Sequence, residues 1–261
     1  MKIGISHNCY GKIPLEEEIR LMKKNGFTAT FMGNEHDDFD DTVKAFRAAG
    51  IEMETIHAPF DGINDLWLPG EAGDRMLDRL IRSLQDAHRN KIPVVVIHMS
   101  SGVKPPIVSD IGNQRFARLM KEARELGVVP AFENQRKLAN LALMFEYYED
   151  ARFCWDTGHE ACFAGGREYM PLFGEYLVAL HVHDNTCEPD KDYHMIPYDG
   201  RIDFDRVARQ IAESPFHGTI MLELNRLKHP IYADVSAEEY FQRAGNAAKR
   251  LADAVERYRT R

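Results

Sequence analysis

Residues 153–160 read FCWDTGHE, an apolar run that ends with Asp156 and His159 three positions apart. A carboxylate buried beside an imidazole at a strand end is costly unless another charge or a metal compensates it. Two more carboxylates interrupt apolar runs, Glu133 in PAFEN and Glu223 in IMLEL. Brought to one axis, Glu133, Asp156 and Glu223 would repel each other and hold raised pKa values unless a cation sat among them, which predicts a divalent metal. An imidazole from LHVHD would complete a set of carboxylates plus one nitrogen, suited to manganese, magnesium, cobalt or zinc rather than to a soft-ligand metal. His181 and His183 share one strand face, because side chains alternate with period 2, and spacing does not choose between them. Further histidines stand at comparable places: His7, His57 and His98 each follow a short apolar run. The segment DYH adds Asp192 and His194, spaced so that both can reach one point from a turn.

These side chains meet only if the runs that carry them are strands whose C-terminal ends lie together. Eight runs of strand length recur: KIGIS, FTATFMG, IEMETIHAP, IPVVVIHMS, VVPAFEN, RFCWDTGH, LVALHVHDN and TIMLELN. Helical spacing fills the intervals, as in PLEEEIRLMKKNG, where Leu15, Ile19 and Met22 fall on one face and Pro14 opens the first turn. Gly26, Gly50 and Gly127 each end such a helix directly before a strand, where a left-handed cap is needed. Helix, glycine, strand, repeated along the chain, predicts a parallel sheet closed as a (β/α)8 barrel in one domain spanning 1–261, with the active site at the C-terminal rim. The first strand is not followed by G-x-G-x-x-G, which argues against an open dinucleotide-binding sheet. The last helix, from about Ser236 to Tyr258, should close the barrel against the first.

The chain has 261 residues, 44% of them hydrophobic, enough for one large core. Lysine and arginine number 33 against 41 acidic residues, a net charge of -8. That balance disfavours nucleic acid and anionic membranes and leaves a small molecule as partner. No apolar run has the length of a membrane span, and MKIGIS enters a strand without a signal-peptide pattern, so a cytoplasmic protein is expected. Cys9, Cys154, Cys162 and Cys187 have no C-x-x-C spacing and read as free thiols; Cys154 and Trp155 alternate, so one of them must face the helices. Self-association into a homo-oligomer stays open.

The ordered series IHAPF, VVVIHMS, PAFEN, WDTGH, LHVHDN and LELN resembles the xylose isomerase-like barrel superfamily over essentially the whole chain. That superfamily contains sugar epimerases and isomerases, inosose isomerases and dehydratases, and endonuclease IV. Its epimerases and ketoisomerases hold one divalent metal through positions that match Glu133, Asp156, His181 and Glu223. By that resemblance Glu133 and Glu223 also move the proton as base and acid, and His57, His98, His159 and Arg136 bind substrate. His183 then supports the loop or the pocket wall. In the endonuclease IV members a three-zinc cluster takes nine ligands, matching His57, His98, Glu133, Asp156, His159, His181, Asp192, His194 and Glu223, and all nine residue types are present.

The resemblance therefore implies a divalent-metal-dependent isomerase or epimerase of a sugar, polyol or sugar phosphate, acting through an enediolate. The alternatives are a multi-zinc phosphodiesterase and an inosose-type dehydratase. Against the phosphodiesterase stand the net charge and the segment GNEHDDFDD, five acids in nine residues. The arginine that several ketose 3-epimerases carry after the H-x-x-D segment has no counterpart in DNTCEPDKD. Arg136 and Arg201 are left to contact an anionic group.

Overall fold

The computed structural model describes residues 1–260. Strands β1 (Ile3–Ser6), β2 (Ala29–Gly33), β3 (Glu52–His57), β4 (Val94–Ile97), β5 (Val129–Glu133), β6 (Arg152–Asp156), β7 (Leu177–His181) and β8 (Ile220–Leu222) are all parallel, in the order 7-6-5-4-3-2-1-8. Between them run α1 (Leu15–Lys24), α2 (Phe39–Ala48), α3 (Glu71–Arg89), α4 (Asp110–Leu126), α5 (Leu138–Tyr147), α6 (Thr157–Phe163), α7 (Met170–Phe173) and α8 (Phe204–Glu213), and α9 (Ala237–Arg259) follows the last strand. This is the (β/α)8 barrel that the helix-glycine-strand repeats predict. Gly26, Gly50 and Gly127 have φ of +87°, +79° and +65°, a region where a Cβ would be strained.

The seam of the barrel is uneven. β1 pairs with β8 over three residues, whereas β7 meets β8 at a single bridge, Val182 to Leu222, beyond the end of β7. The Val182 N–H donates to Met221 O (2.9 Å) and the Glu223 N–H to Val182 O (3.1 Å). Closure is thus made at the C-terminal rim, between the strand ends that carry His181, His183 and Glu223.

Inside the barrel, the small side chains Val96, Ala131, Cys154 and Ala179 form one buried cluster, and Ala29 with the larger Phe31 and Met221 forms another. Cys154 points inward and Trp155 packs among the helices, as their alternation requires. Cys9, Cys154 and Cys162 are buried free thiols and Cys187 is an exposed one. The main core lies between the strands and the helices.

On α1 the buried face differs from the expected one. Met22 is buried, but Leu15 and Ile19 are only partly covered, and the inward positions are Glu18 and Leu21. The helix is turned because Glu18 faces the end of β1, where its carboxylate lies 2.8 Å from His7 Nδ1 and accepts the Asn8 N–H at 2.7 Å. Apolar spacing cannot announce a buried carboxylate-imidazole contact. α9 begins one residue after its cap, Ser236, which accepts from the Glu239 N–H, and packs on α8, α1 and β1.

Candidate metal centre

Inward-facing positions at the tops of the strands bring the predicted side chains together. His57 ends β3, His98 follows β4, Glu133 ends β5, Asp156 ends β6, His181 ends β7 and Glu223 follows β8. Glu133 is the hub. Its Oε2 lies 3.4 Å from His57 Nε2, 3.2 Å from His98 Nε2 and 3.2 Å from His181 Nδ1, and its Oε1 lies 2.9 Å from His159 Nδ1. His181 Nδ1 is also 3.4 Å from Glu223 Oε2. The His181 ring is stacked between Phe31 and His57, with centroids 4.6 and 5.5 Å away.

The tetrapeptide at the end of β6 is built around His183. Asp156 accepts the His159 N–H at 2.6 Å and faces His183 Nε2 at 3.1 Å. Thr157 Oγ1 donates to His183 O (2.8 Å) and accepts the His183 N–H (3.1 Å). Gly158 leaves the space the ring occupies: a Cβ there would stand 1.9 Å from His183 Cε1. Asn134 clamps the same strand end, its side chain exchanging two hydrogen bonds with the Asp156 backbone at 2.7 and 2.9 Å.

Asp192 and His194 come from the loop after β7. His194 Nε2 lies 2.7 Å from Asp192 Oδ2 and its Nδ1 3.1 Å from Glu223 O, while its ring stacks on His183 with centroids 4.1 Å apart. This loop is bent sharply: Cys187, Asp190, His194 and Tyr198 all have φ between +47° and +76°. Asp184 holds the bends in place. Its Oδ1 accepts the N–H groups of Asn185 (2.8 Å) and Ile202 (3.0 Å), and its Oδ2 those of Tyr198 (2.9 Å) and Gly200 (2.8 Å).

All nine side chains of the larger resemblance therefore converge. Donor atoms of eight of them form trios lying within 4.8 Å of one another, among them His57, His98 and Glu133; His57, His181 and Glu223; and His159, Asp192 and His194; a further trio, His183, His194 and Glu223, includes a histidine outside the nine. Arg136 stands apart, paired with Asp190 at 2.7 Å and lying 3.6 Å over Phe163, whose ring stacks in turn on His159. Arg201 is exposed outside the barrel.

Electrostatically the cluster is poised for cations. Burial alone would raise Glu133, but His98, His181 and His159 hold it well below the usual carboxylate range. Burial opposes Glu223 and Asp192 likewise, and the imidazoles beside them depress both. Burial pulls the His159 imidazole down, yet Asp156 and Glu133 lift it to about 10. Against burial, Cys154, Glu223 and Glu133 raise His181, and Asp156 and Asp192 raise His183, whereas burial wins at His98 and His194, which are lowered.

The donor set fits a metal on a second ground. His98 Nδ1, Glu133 Oε1, both His181 nitrogens, His183 Nδ1, Asp192 Oδ1 and Glu223 Oε2 are buried without a hydrogen bond. Each such atom costs about 1–3 kcal/mol if nothing satisfies it. Several lie close to a charged neighbour in geometry unsuited to a hydrogen bond, as where two donors face one shared ion. Sequence reading passed over three contributors: Asp184; Lys228, whose Nζ is 2.8 Å from Asp192 Oδ2; and Gln135, whose Nε2 lies 3.0 Å from His159 Nδ1. Of these only Asp184 left a trace, as the last residue of H-x-x-D.

A cavity of about 660 Å³ opens beside the cluster, bordered by His57, His194 and Glu223 and, farther out, by Asn8, Asn34 and Lys228. Among the described residues, no helix is long and apolar enough to cross a membrane.

A family model described as the xylose isomerase-like TIM barrel matches residues 15–260. The uncharacterized protein y4fM of Sinorhizobium fredii is 33% identical over 132 residues, covering 49% of this chain and only 40% of that relative's length. D-psicose 3-epimerase of Clostridium cellulolyticum H10, solved with D-tagatose, is 14% identical with a TM-score of 0.79, covering 98% of this chain and 99% of the other. The IOLI protein, solved with a bound zinc atom, is 17% identical with a TM-score of 0.73, covering 99% of each chain. At such identities these two structures share the fold with this chain.

Proposed function

Because the chain belongs to the xylose isomerase-like TIM barrel family, we propose that it is a divalent-metal-dependent isomerase or epimerase of a sugar, polyol or sugar phosphate. The observation that carries this reading is the convergence of Glu133 and Glu223 on His181, among buried donor atoms without hydrogen bonds, at the edge of a cavity. The sugar in the D-psicose 3-epimerase structure and the zinc in the IOLI structure support it by analogy of fold.

Glu133, Asp156, His181 and Glu223 would hold the ion. Manganese, zinc, magnesium or cobalt would supply Lewis-acid stabilisation of the negative charge that grows on a carbonyl oxygen as the neighbouring carbon loses its proton. The chain's own groups do the rest. Glu223, with its side chain 15% exposed and lining the cavity, is the carboxylate that a substrate carbon meets directly. It is held ionised, as a base must be. Glu133 is sheathed by imidazoles, with its side chain fully buried, so its share in proton return depends on one of those rings turning aside. His57 presents its ring to substrate oxygens in the cavity, with His98 and His159 behind it around Glu133, and Asn8 offers an amide to hydroxyls farther out. Arg136, tied to Asp190, would act by fixing Phe163 behind His159.

A second reading, a multi-zinc phosphodiesterase, is favoured by the gathering of eight of the nine positions, all but Asp156, into the trios above. An inosose-type dehydratase would begin with the same proton abstraction. The test is incubation with manganese or zinc and a panel of ketoses and inososes in heavy water. Deuterium should enter beside the carbonyl, and Glu133→Gln and Glu223→Gln should each lower kcat by about 10²–10⁴. Product without deuterium, or full rescue of both mutants by excess metal, would remove the two-base transfer; cleavage of phosphodiesters would favour the second reading.

A further inference from the structure

The outer trio of His159, Asp192 and His194 differs from the Glu133 hub in one respect: a lysine reaches it. Lys228 Nζ lies 2.8 Å from Asp192 Oδ2, the oxygen that also stands 2.7 Å from His194 Nε2. Asp192 Oδ1, by contrast, is buried without a hydrogen bond, 3.8 Å from His183 Nε2. Among the described residues, the ion pairs of Glu133 are with imidazoles, which can give up their protons to a metal. A lysine ammonium keeps its charge near neutral pH and sits as a compact point charge on a flexible stem.

Lys228 belongs to a turn after β8, Arg226–Lys228, and its side chain is 38% exposed on the wall of the cavity. Its ammonium thus enters from the solvent side and takes the position beside Asp192 that a second ion's charge would need. A divalent ion bound to Asp192 must either displace the lysine or tolerate a like charge within a few ångströms.

We propose that Lys228 is a tethered cation that neutralises Asp192 and competes with a divalent ion at the outer trio, limiting the metal load of the chain to the Glu133 centre. The proposal rests on the reading of that centre as a metal site and bears on which reaction the site performs. With Lys228 on Asp192, the outer trio is a charged wall that faces substrate oxygens. With Lys228 removed, it becomes a second metal site.

The experiment is zinc binding, by elemental analysis of dialysed protein and by competition with a chromophoric chelator, on the wild type, Lys228→Met and Lys228→Arg. Lys228→Met keeps the stem and loses the charge; Lys228→Arg keeps the charge and controls for disturbance of the turn. The expected result is one zinc ion more per chain in Lys228→Met than in the wild type, or an outer-site affinity tighter by about two- to fivefold, the scale of one partly exposed ion pair. Lys228→Arg should match the wild type. Equal, non-zero stoichiometry and affinity in all three would overturn the proposal while leaving the metal centre standing. A wild type that already fills the outer trio would overturn it too. No zinc in any of the three would instead sink the metal reading itself, and the proposal with it.

Discussion

Two buried carboxylates at strand ends, Asp184 and Glu133, behave oppositely. Asp184 has both oxygens filled, each accepting two backbone N–H groups from the loop it organises. Glu133 has an oxygen with no hydrogen bond although four imidazoles crowd around it. A buried charge satisfied by fixed backbone donors is a structural part. One surrounded by titratable groups in poor hydrogen-bonding geometry is shaped for something that is not a protein atom. The contrast separates scaffold from site within one rim.

The largest expected effect lies on the scaffold side. Asp184→Ala strands four N–H groups in a loop held at four positive-φ residues, and should cost about 4 kcal/mol or more of unfolding free energy. Denaturant unfolding of the metal-free chain checks it, and a loss under about 1 kcal/mol would erase the distinction. Glu133→Gln, by the same measurement, should also lower the stability of the metal-free chain, since the folded state favours its charge, but by less, because the imidazoles around it can release the protons that its charge holds on them.

Gly158→Ala tests the join between the two regions. The added methyl meets the His183 ring, so an overpacking cost of about 1–3 kcal/mol is expected, together with a His183 displaced from Asp156. Unchanged stability and an unchanged His183 resonance would show that the ring does not occupy the space beside Gly158.

The remaining effect is the pH dependence. His159 is raised in the folded state to about 10, so in the metal-free chain its contribution to stability is fully present below its unfolded value and is lost as pH rises toward 10. Zinc-loaded protein should show the opposite trend over neutral pH, because ligands must shed protons to bind. Thermal melts with and without zinc from pH 6.5 to 10 would reveal it; parallel slopes would contradict it.

Much of this was legible in the sequence because the information is local. Glu133, Asp156 and Glu223 stand out because each breaks an apolar strand, and period-2 alternation places them inside. The glycines that precede strands announce the turns. What stayed hidden depends on contacts between distant segments. Glu18 reads as one of three consecutive acids on a surface helix until His7 is placed beside it. Gly158 looks like turn chemistry until the His183 ring is found in its space. Lys228 sits in a short solvent-facing turn, and nothing in RLKHP signals that it reaches across to Asp192.

The central claim is that the unsatisfied atoms around Glu133 are metal ligands. Anomalous diffraction at the zinc edge, from crystals grown with zinc, tests it most directly. The account predicts a peak within about 2.0–2.3 Å of both a Glu133 oxygen and a His181 nitrogen. A map with no peak at the rim, or with one bonded to neither residue, would contradict it.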